Sequence, residues 1–196
     1  MFIKIEDIKQ YQIWNDVANK LNGTFSMPLQ IKNGGSSAGG MYLFNIKLLY
    51  KNVLVNVHTG LYEFPLRKNE YNDCDITITA KKETKENIEL SIWRKDYIDR
   101  LFSFGKTRTG YKKFDKIIGI QSSRNVARCL PKIFESEDLR EVFINDNYRA
   151  YNVSTKDCFI NVNRRSSIRL ENSELIISEY KLFCQFLDGL INARIL

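Results

Sequence analysis

Residues Gly105–Ser122 read GKTRTGYKKFDKIIGIQS, which is a basic loop punctuated by glycine, then a Phe-Asp pair, then a short apolar run. The run Phe114–Ile120 has the length and the β-branched composition of a buried strand. A polar loop that leads into such a strand is typical of a sheet whose strands are joined by exposed connections. This stretch therefore predicts a sheet, and the flanking sequence predicts where its helices lie.

Several stretches on either side alternate apolar and polar residues with the period of a strand. In Asp75–Ala80 and Ile88–Arg94 every second residue is aliphatic, so each strand would bury one face. Lys51-Asn52 separates two apolar runs and predicts a hairpin turn. The remaining predicted strands are Thr24–Ile31, Met41–Tyr50, Val53–His58, Tyr148–Val153, Cys158–Asn163 and Ile168–Leu170.

Amphipathic helices are predicted near both ends of the chain. Ile8–Leu21 repeats apolar residues at helical spacing. Ser173 is placed to cap a last helix over Glu174–Asn192. Shorter helical patterns cover Asp96–Phe104, Asn125–Phe134 with a break near Pro131, and Ser136–Phe143.

These elements predict an α+β fold: a curved, largely antiparallel sheet of about seven to nine strands, with the N-terminal and C-terminal helices packed on it. Because no Pro/Gly/Ser-rich linker divides the chain, residues 1–196 are expected to form a single domain, whose two halves could meet near residue 105. The predicted core consists of Trp14, Leu21, Phe44, Ile46, Ile76, Ile78, Leu90, Ile92, Ile118, Ile120, Phe134, Val153, Phe183 and Leu187.

Composition and charge indicate the compartment. With 43% hydrophobic and 12% aromatic residues, the chain is too apolar for a disordered protein. No stretch approaches the roughly 18 uninterrupted apolar residues of a membrane helix. The N-terminal stretch MFIKIEDIKQYQIW carries charges every few residues, unlike a signal peptide. We therefore expect a cytoplasmic protein with no membrane partner.

The cysteines and the single histidine argue against a metal site. Cys74, Cys129, Cys158 and Cys184 are widely separated, and His58, at the end of a predicted strand, is the only histidine. Zinc sites use Cys and His clustered at short spacing. The four cysteines are therefore expected to be small buried apolar residues, and no cofactor is predicted.

The glycine-rich stretch Asn33–Gly40 resembles a phosphate-binding loop only in its composition. It lacks the Gly-Lys-Ser/Thr ending of such loops, and no helical pattern follows it. We interpret it as a connection between strands.

Carboxylate chemistry provides one alternative function. Asp73 and Asp75 share a strand face, and Asp115 could complete a divalent-cation site of a nuclease or phosphodiesterase. Metal-dependent nucleases of this kind carry a Glu-x-Lys sequence after the aspartate. The nearest glutamate here is Glu89, and Ser91 stands in the position of the lysine. No pair of nucleophile and base is recognisable, so no catalytic residue is assigned.

Basic residues concentrate in the middle of the chain. Lys81–Lys116 holds eleven Lys and Arg against six Asp and Glu, which leaves +5 of the total charge of +7 in this stretch. Cations interleaved with an aromatic ring suit a nucleic-acid strand, through phosphate contacts and base stacking. Loop 106–116 is therefore an alternative nucleic-acid site, with Lys106, Arg108, Tyr111, Lys112 and Lys113 as its candidates. The same cations could instead pair with Asp96, Asp99 or Asp115.

Part of the chain resembles an uncharacterised bacterial family of unknown function. The resemblance rests on Thr109-Gly110, Phe114-Asp115, Ile117-Ile118-Gly119-Ile120 and Leu139-Arg140, within residues 75–170. Tyr111 stands where that family usually has an acidic residue. The resemblance implies a cytosolic α+β module and supplies no catalytic residue.

The sequence favours a non-catalytic module that binds another macromolecule, with a protein as the leading partner. It carries no recognisable active-site motif, and its loops hold aromatic side chains. The two alternatives are nucleic-acid binding through loop 106–116 and metal-dependent hydrolysis by Asp73, Asp75 and Asp115.

Overall fold

The computed structural model describes residues 9–31, 41–62, 73–101, 107–145, 150–169 and 172–196. Strands and helices follow one another along these ranges, and the helices concentrate at both ends and in the middle of the chain. In chain order the elements are α1 (Lys9–Lys20), β1 (Thr24–Ile31), β2 (Met41–Tyr50), β3 (Val53–Tyr62), β4 (Asp73–Glu83), β5 (Glu89–Arg94), α2 (Tyr97–Leu101), α3 (Lys112–Ile117), β6 (Ile118–Ser122), α4 (Arg124–Ala127), α5 (Leu130–Ile133), α6 (Glu137–Asn145), β7 (Ala150–Lys156), β8 (Phe159–Arg169) and α7 (Ser173–Asn192).

The eight strands form one sheet in the order β1-β2-β3-β4-β8-β7-β5-β6. The pairs β1–β2, β2–β3, β5–β6, β5–β7 and β7–β8 are all antiparallel. This confirms the predicted α+β class with a largely antiparallel sheet. None of the helices in the described ranges is both long and apolar enough to span a membrane.

The chain divides into two compact units. Unit 1 comprises Met1–Ile78 and Ser167–Tyr180, and unit 2 comprises Thr79–Ser166 and Lys181–Leu196. Strands β4 and β8 and helix α7 each run from one unit into the other. Both units are therefore discontinuous in sequence.

In unit 1, helix α1 packs on strands β1 and β2 through aromatic side chains. Trp14 is fully buried, and its ring centroid lies 6.0 Å from that of Phe44. The ring of Phe25 lies 6.3 Å from Phe44 and 5.4 Å from Tyr11. The apolar face predicted for this helix is thus the face that contacts the sheet.

The β2–β3 hairpin closes through the predicted turn at Lys51-Asn52. These two residues have φ angles of 46° and 65°. Two consecutive residues at positive φ form a type I′ turn, whose twist matches that of the strands it joins. The β7–β8 hairpin of unit 2 turns in the same way at Asp157 and Cys158, with φ angles of 51° and 62°.

A cluster of polar residues joins the end of α1 to the start of α7 in unit 1. The Ser173 hydroxyl donates to the Asp16 carboxylate, and Lys20 Nζ lies 3.1 Å from Asp16 and 2.8 Å from Glu174. The hydrogen bond from Ser173, followed by that from Lys20, lowers the pKa of Asp16. The hydrogen bonds to Glu174 and Asp16 raise the pKa of Lys20.

The residue that caps α7 differs from the predicted one. Asn172 accepts hydrogen bonds from the backbone amides of Glu174 and Leu175, at 3.0 and 3.3 Å. Ser173 is the first residue of the helix, and its hydroxyl is directed to Asp16 instead. The prediction of Ser173 as the cap was wrong because this contact with α1 is not visible in the local sequence.

In unit 2, one face of the sheet packs on helices through a cluster of aromatic rings. The ring of Phe143 lies 4.6 Å from that of Tyr151 on β7 and 5.8 Å from that of Phe186 on α7. Phe114 and Phe134 lie 4.8 Å apart in the same cluster. Such pairs add about 0.5–1.5 kcal/mol each beyond the burial of their area.

Helix α3 departs from the predicted secondary structure. Lys112–Ile117 is helical, so the strand predicted from Phe114 begins only at Ile118. The helical turn places the Phe114 ring against Phe134 and Phe143. This contact is made with residues far along the chain, which the local pattern does not reveal.

Strand β8 is one continuous strand where two short strands were predicted, at Cys158–Asn163 and Ile168–Leu170. Arg164 and Arg165, which lie between the two predicted strands, continue the ladder opposite Tyr151 and Ala150. The Arg164 side chain is fully buried, with its guanidinium carbon 5.3 Å from the centroid of the Tyr151 ring. Stacking on this ring accommodates a cation within the strand.

The predicted core is confirmed with one exception. All of its members are buried apart from Leu21, which is half-buried just after α1. Of the cysteines, Cys184 is buried as predicted, but Cys129 is half-buried and Cys158 is exposed. Cys158 is exposed because it occupies the β7–β8 turn. The Cys74 side chain and the loop Asn33–Gly40 lie outside the described residues.

The lowered pKa of Asp16 predicts an acid-sensitive contribution to stability. The contribution is fully present above the ordinary pKa of 3.8 and is lost as pH falls through the lower folded pKa. Thermal unfolding of the wild type and Asp16→Asn, compared from about pH 6 down to about pH 2, should show a stability difference that shrinks at acid pH.

Glu174→Gln is the matched control for this comparison, since it keeps the Ser173–Asp16 hydrogen bond. A melting temperature of Asp16→Asn that stays at a constant offset from the wild type over the whole pH range would contradict the prediction.

Candidate functional site

The basic loop predicted from the sequence lies in unit 2, between α2 and α3. Its described part starts at Thr107, and Lys106 lies outside the described residues. The loop reaches helix α3 at Lys112. Its geometry is set by Asp115, one turn into that helix.

The Asp115 carboxylate closes the loop onto the helix. One of its oxygens accepts hydrogen bonds from the amide of Thr109 at 2.9 Å and from the hydroxyl of Thr109 at 2.8 Å. The other accepts the amide of Gly110 at 3.1 Å. Gly110 has a φ of 93°, a conformation that side chains rarely adopt. The Thr-Gly and Phe-Asp pairs of the sequence are therefore in contact: the first donates to the second.

Two cations converge on the backbone carbonyl of Asp115. Lys95 Nζ donates to this oxygen at 2.8 Å, and the Arg108 guanidinium donates to it at 3.4 Å. Lys95 is only 7% exposed, while Arg108 is exposed. A buried ammonium group needs such an acceptor, because desolvation without a partner is costly. Lys95 thus supports α3 from the end of β5.

Tyr111 is held between the loop and the helical layer. Its hydroxyl donates to the carbonyl of Pro131 at 3.2 Å. The guanidinium carbon of Arg140 lies 3.9 Å from the centroid of its ring, a cation–π distance. Arg140 also donates to the carbonyls of Phe134 and Glu135. One ring face of Tyr111 is therefore occupied by a side chain of the protein.

The remaining loop lysines differ in their surroundings. Lys113 forms an ion pair with Glu141 on α6, at 2.7 Å, with the Lys113 side chain 70% and the Glu141 side chain 40% exposed. Such exposed pairs contribute at most about 1 kcal/mol. Lys112 is exposed on the first turn of α3. The surface of the loop accordingly presents Arg108 and Lys112 to solvent.

The carboxylates proposed for metal chemistry are placed by the structure only in part. Asp115 lies on helix α3, where Thr109 and Gly110 donate to it. Asp73 and Asp75 lie at the start of β4, and their side chains are outside the described residues. Among the side chains that are described, no three His, Cys, Asp or Glu residues are grouped as metal ligands would be.

His58 lies on the outer face of the β2–β3 hairpin, opposite Asn45. It is half-buried, and its burial lowers its pKa. The neutral imidazole is therefore favoured at neutral pH, because burial disfavours the charged form.

An exposed apolar surface on α2 was not predicted from the sequence. Tyr97 is 75% exposed and Ile98 is 57% exposed, at the first two positions of the helix. Asp96 accepts the amide of Asp99 at 2.7 Å, and Asp99 accepts the amide of Asp96 at 3.3 Å. This reciprocal arrangement is a capping box. The spacing Asp96-x-x-Asp99 was the signal that could have revealed it.

The same carboxylate anchors the helix to the sheet. Asp99 accepts a hydrogen bond from the indole nitrogen of Trp93 on β5, at 2.9 Å. Asp99 therefore fixes both the start of α2 and its position beside β5. A second exposed apolar pair, Leu49 at 73% and Leu54 at 45%, lies opposite each other in the β2–β3 hairpin of unit 1.

Comparison with protein-family models, with curated proteins and with solved structures finds no match to this chain. The resemblance of residues 75–170 to an uncharacterised bacterial family therefore stays a prediction.

The hydrogen bonds of Asp115 predict that this residue stabilises unit 2. Asp115→Ala leaves the amide and the hydroxyl of buried Thr109 and the amide of exposed Gly110 without their acceptor, so the free energy of unfolding should fall by about 1–3 kcal/mol. Equilibrium unfolding in urea measures this change.

Lys112→Ala on the same helix is the control, because an exposed side chain is expected to change the free energy of unfolding by no more than about 0.5 kcal/mol. Equal effects of the two substitutions would contradict the role assigned to Asp115.

Proposed function

We propose that the protein is a non-catalytic module that binds another protein through the surface of α2. The observation that carries this proposal is the exposure of Tyr97 and Ile98 side by side on a helix that is held in place. Tyrosine is enriched among the residues that dominate binding energy at protein interfaces, because its ring offers a large contact area at a low entropic cost.

The contacts of Asp99 support this proposal further. The capping box with Asp96 fixes the first turn of α2, and the bond to Trp93 fixes the helix against β5. A surface that is already ordered loses little conformational entropy when a partner binds. Tyr97 and Ile98 are thus presented as preorganised anchors.

The surroundings of Asp115 favour binding over catalysis in this proposal. Its carboxylate, the candidate for metal chemistry that can be described, accepts three hydrogen bonds from Thr109 and Gly110. Those bonds use three of the roughly four lone-pair sites of the carboxylate, so little of its capacity is left for a metal ion.

The proposal includes a cytoplasmic location. Cys129 and Cys158 are free thiols, and Cys158 is exposed; such thiols are typical of reducing compartments.

Photo-crosslinking in the native host tests the protein-binding proposal. A photoreactive amino acid placed at Tyr97 should capture a partner that the same amino acid at Leu49 does not capture. With the purified partner, Tyr97→Ala/Ile98→Ala should weaken binding by about 2 kcal/mol or more, since anchor residues typically contribute this much.

Leu49→Ala/Leu54→Ala is the matched control, because it removes an exposed apolar pair from unit 1 and should leave the affinity unchanged. The proposal fails if position 97 captures no protein beyond those captured at position 49, or if both double variants bind the partner as tightly as the wild type.

Nucleic-acid binding through loop 106–116 is the second candidate, and the exposure of Arg108 and Lys112 favours it. If both contact phosphates, binding should weaken by roughly 0.7–0.9 log units per contact for each tenfold rise in salt. Fluorescence anisotropy with single-stranded and duplex oligonucleotides measures this slope.

Arg108→Ala/Lys112→Ala should reduce the salt slope by about 1 to 2. Lys113→Ala provides a comparison in which the cation removed is already paired with Glu141. Absence of binding at about 0.1 M salt would exclude this second function.

A further inference from the structure

The face of unit 2 that points away from the aromatic core carries a continuous row of uncharged polar side chains. Gln121 on β6 is paired with Ser91 on β5, Ser91 with Asn152 on β7, and Asn152 with Asn163 on β8. Residues paired directly across antiparallel strands lie on the same face. The row therefore crosses four neighbouring strands.

The hydrogen-bonding capacity of this row is not used within the described part of the chain. Gln121, Asn152 and Asn163 are exposed, and Ser91 is half-buried. None of the four side chains takes part in a hydrogen bond with another described residue. Asn161 lies two residues before Asn163 on β8 and differs from the row, because its side-chain amide donates to the carbonyl of Phe159. Each free amide can both donate and accept.

The indole of Trp93 lies flat beside this row. Trp93 is paired with Gly119, and a Cβ atom at position 119 would come within 2.5 Å of the indole ring. One face of the ring thus rests on the glycine backbone, and glycine is required there by the close approach. The hydrogen bond to Asp99 fixes the ring in its plane, while Trp93 as a whole is half-buried.

The charges next to the row are balanced. The row itself is uncharged, and the positions next to it carry one acid, Glu89, and one base, Arg165, which are both exposed. Further along the same face, Lys156 is paired with Phe159, and Lys81 Nζ lies over the Phe159 ring. Glu89 lies two residues from Ser91, and Arg165 lies two residues from Asn163. A polyanion bound along the row would meet the carboxylate of Glu89 as well as the guanidinium of Arg165, so the row offers it little net attraction.

We propose that this face binds a neutral oligosaccharide, with a sugar ring stacked on Trp93 and its hydroxyl groups bonded to the amides of the row. The apolar C–H face of a pyranose ring matches a flat indole, and vicinal hydroxyls match amides that donate and accept together. This inference goes beyond the proposed protein binding, which uses Tyr97 and Ile98.

The dimensions of the row agree with this ligand. Three spacings between neighbouring strands give a length of about 14 Å, which corresponds to roughly three linked hexose units. The ligand would lie across the strands, with Trp93 beside the β6–β5 end of the row.

Titration with four neutral hexasaccharides, namely cellohexaose, maltohexaose, chitohexaose and xylohexaose, tests the proposal. The chain has two tryptophans, and Trp14 is fully buried, so a change in tryptophan emission on binding reports on Trp93. At least one of the four should bind with a Kd below about 1 mM, and calorimetry should give the same constant.

Asn152→Ala/Asn163→Ala should weaken that binding at least about tenfold, because two amide contacts are removed. Gly119→Ala should weaken it as well, since the added methyl group displaces the indole from its plane. The matched control is Asn15→Ala/Asn19→Ala on the exposed side of α1, which removes two amides from unit 1 and should leave the Kd unchanged. Thermal unfolding of each variant verifies that it is folded.

The proposal is overturned if none of the four sugars changes the emission of Trp93 at about 10 mM, or if the Asn152/Asn163 variant binds as the wild type does. It is equally overturned if oligothymidylate binds this face and competes with the sugar, because the face would then accept a polyanion.

Discussion

Alternation of side chains along antiparallel strands is the constraint on which unit 2 depends. In β5 the even-numbered Leu90 and Ile92 are buried, and their neighbours Ser91 and Trp93 point to the opposite face. Because every strand is held in register with the next, one face becomes mainly apolar and the other mainly polar. The aromatic cluster around Phe143 covers the first face. The second face is turned to solvent.

Two aspartates convert short loops of this unit into fixed structures. Asp99 binds the start of its own helix and the indole of Trp93, and Asp115 binds the amides of the loop that precedes it. Carboxylates suit this task because each oxygen accepts more than one hydrogen bond. Two of the six acids that lie among the basic residues of 81–116, Asp99 and Asp115, therefore hold the local structure together, and Asp99 fixes the helix on which Tyr97 and Ile98 are exposed.

The local periodicity of apolar residues was sufficient to predict most of the fold. The hairpin at Lys51-Asn52, the buried side of α1 and the aliphatic positions of β4 and β5 all follow from residues close in sequence. The errors have a common cause. Phe114 lies on a helix because its ring packs against those of Phe134 and Phe143. Strand β8 continues through Arg164 because the guanidinium of this residue lies over the Tyr151 ring. Contacts over long separations override a local preference when they bury more surface.

The sequence by itself determined the α+β class, the antiparallel pairing and the membership of the core, because these depend on spacings of two and of three to four residues along the chain. It also pointed to the Thr109-Gly110 and Phe114-Asp115 pairs. Only the tertiary structure decided what these pairs do, which strands became neighbours and which polar residues formed a row. Those outcomes depend on strand order and register, and a strand carries no local mark of the partner that it will meet.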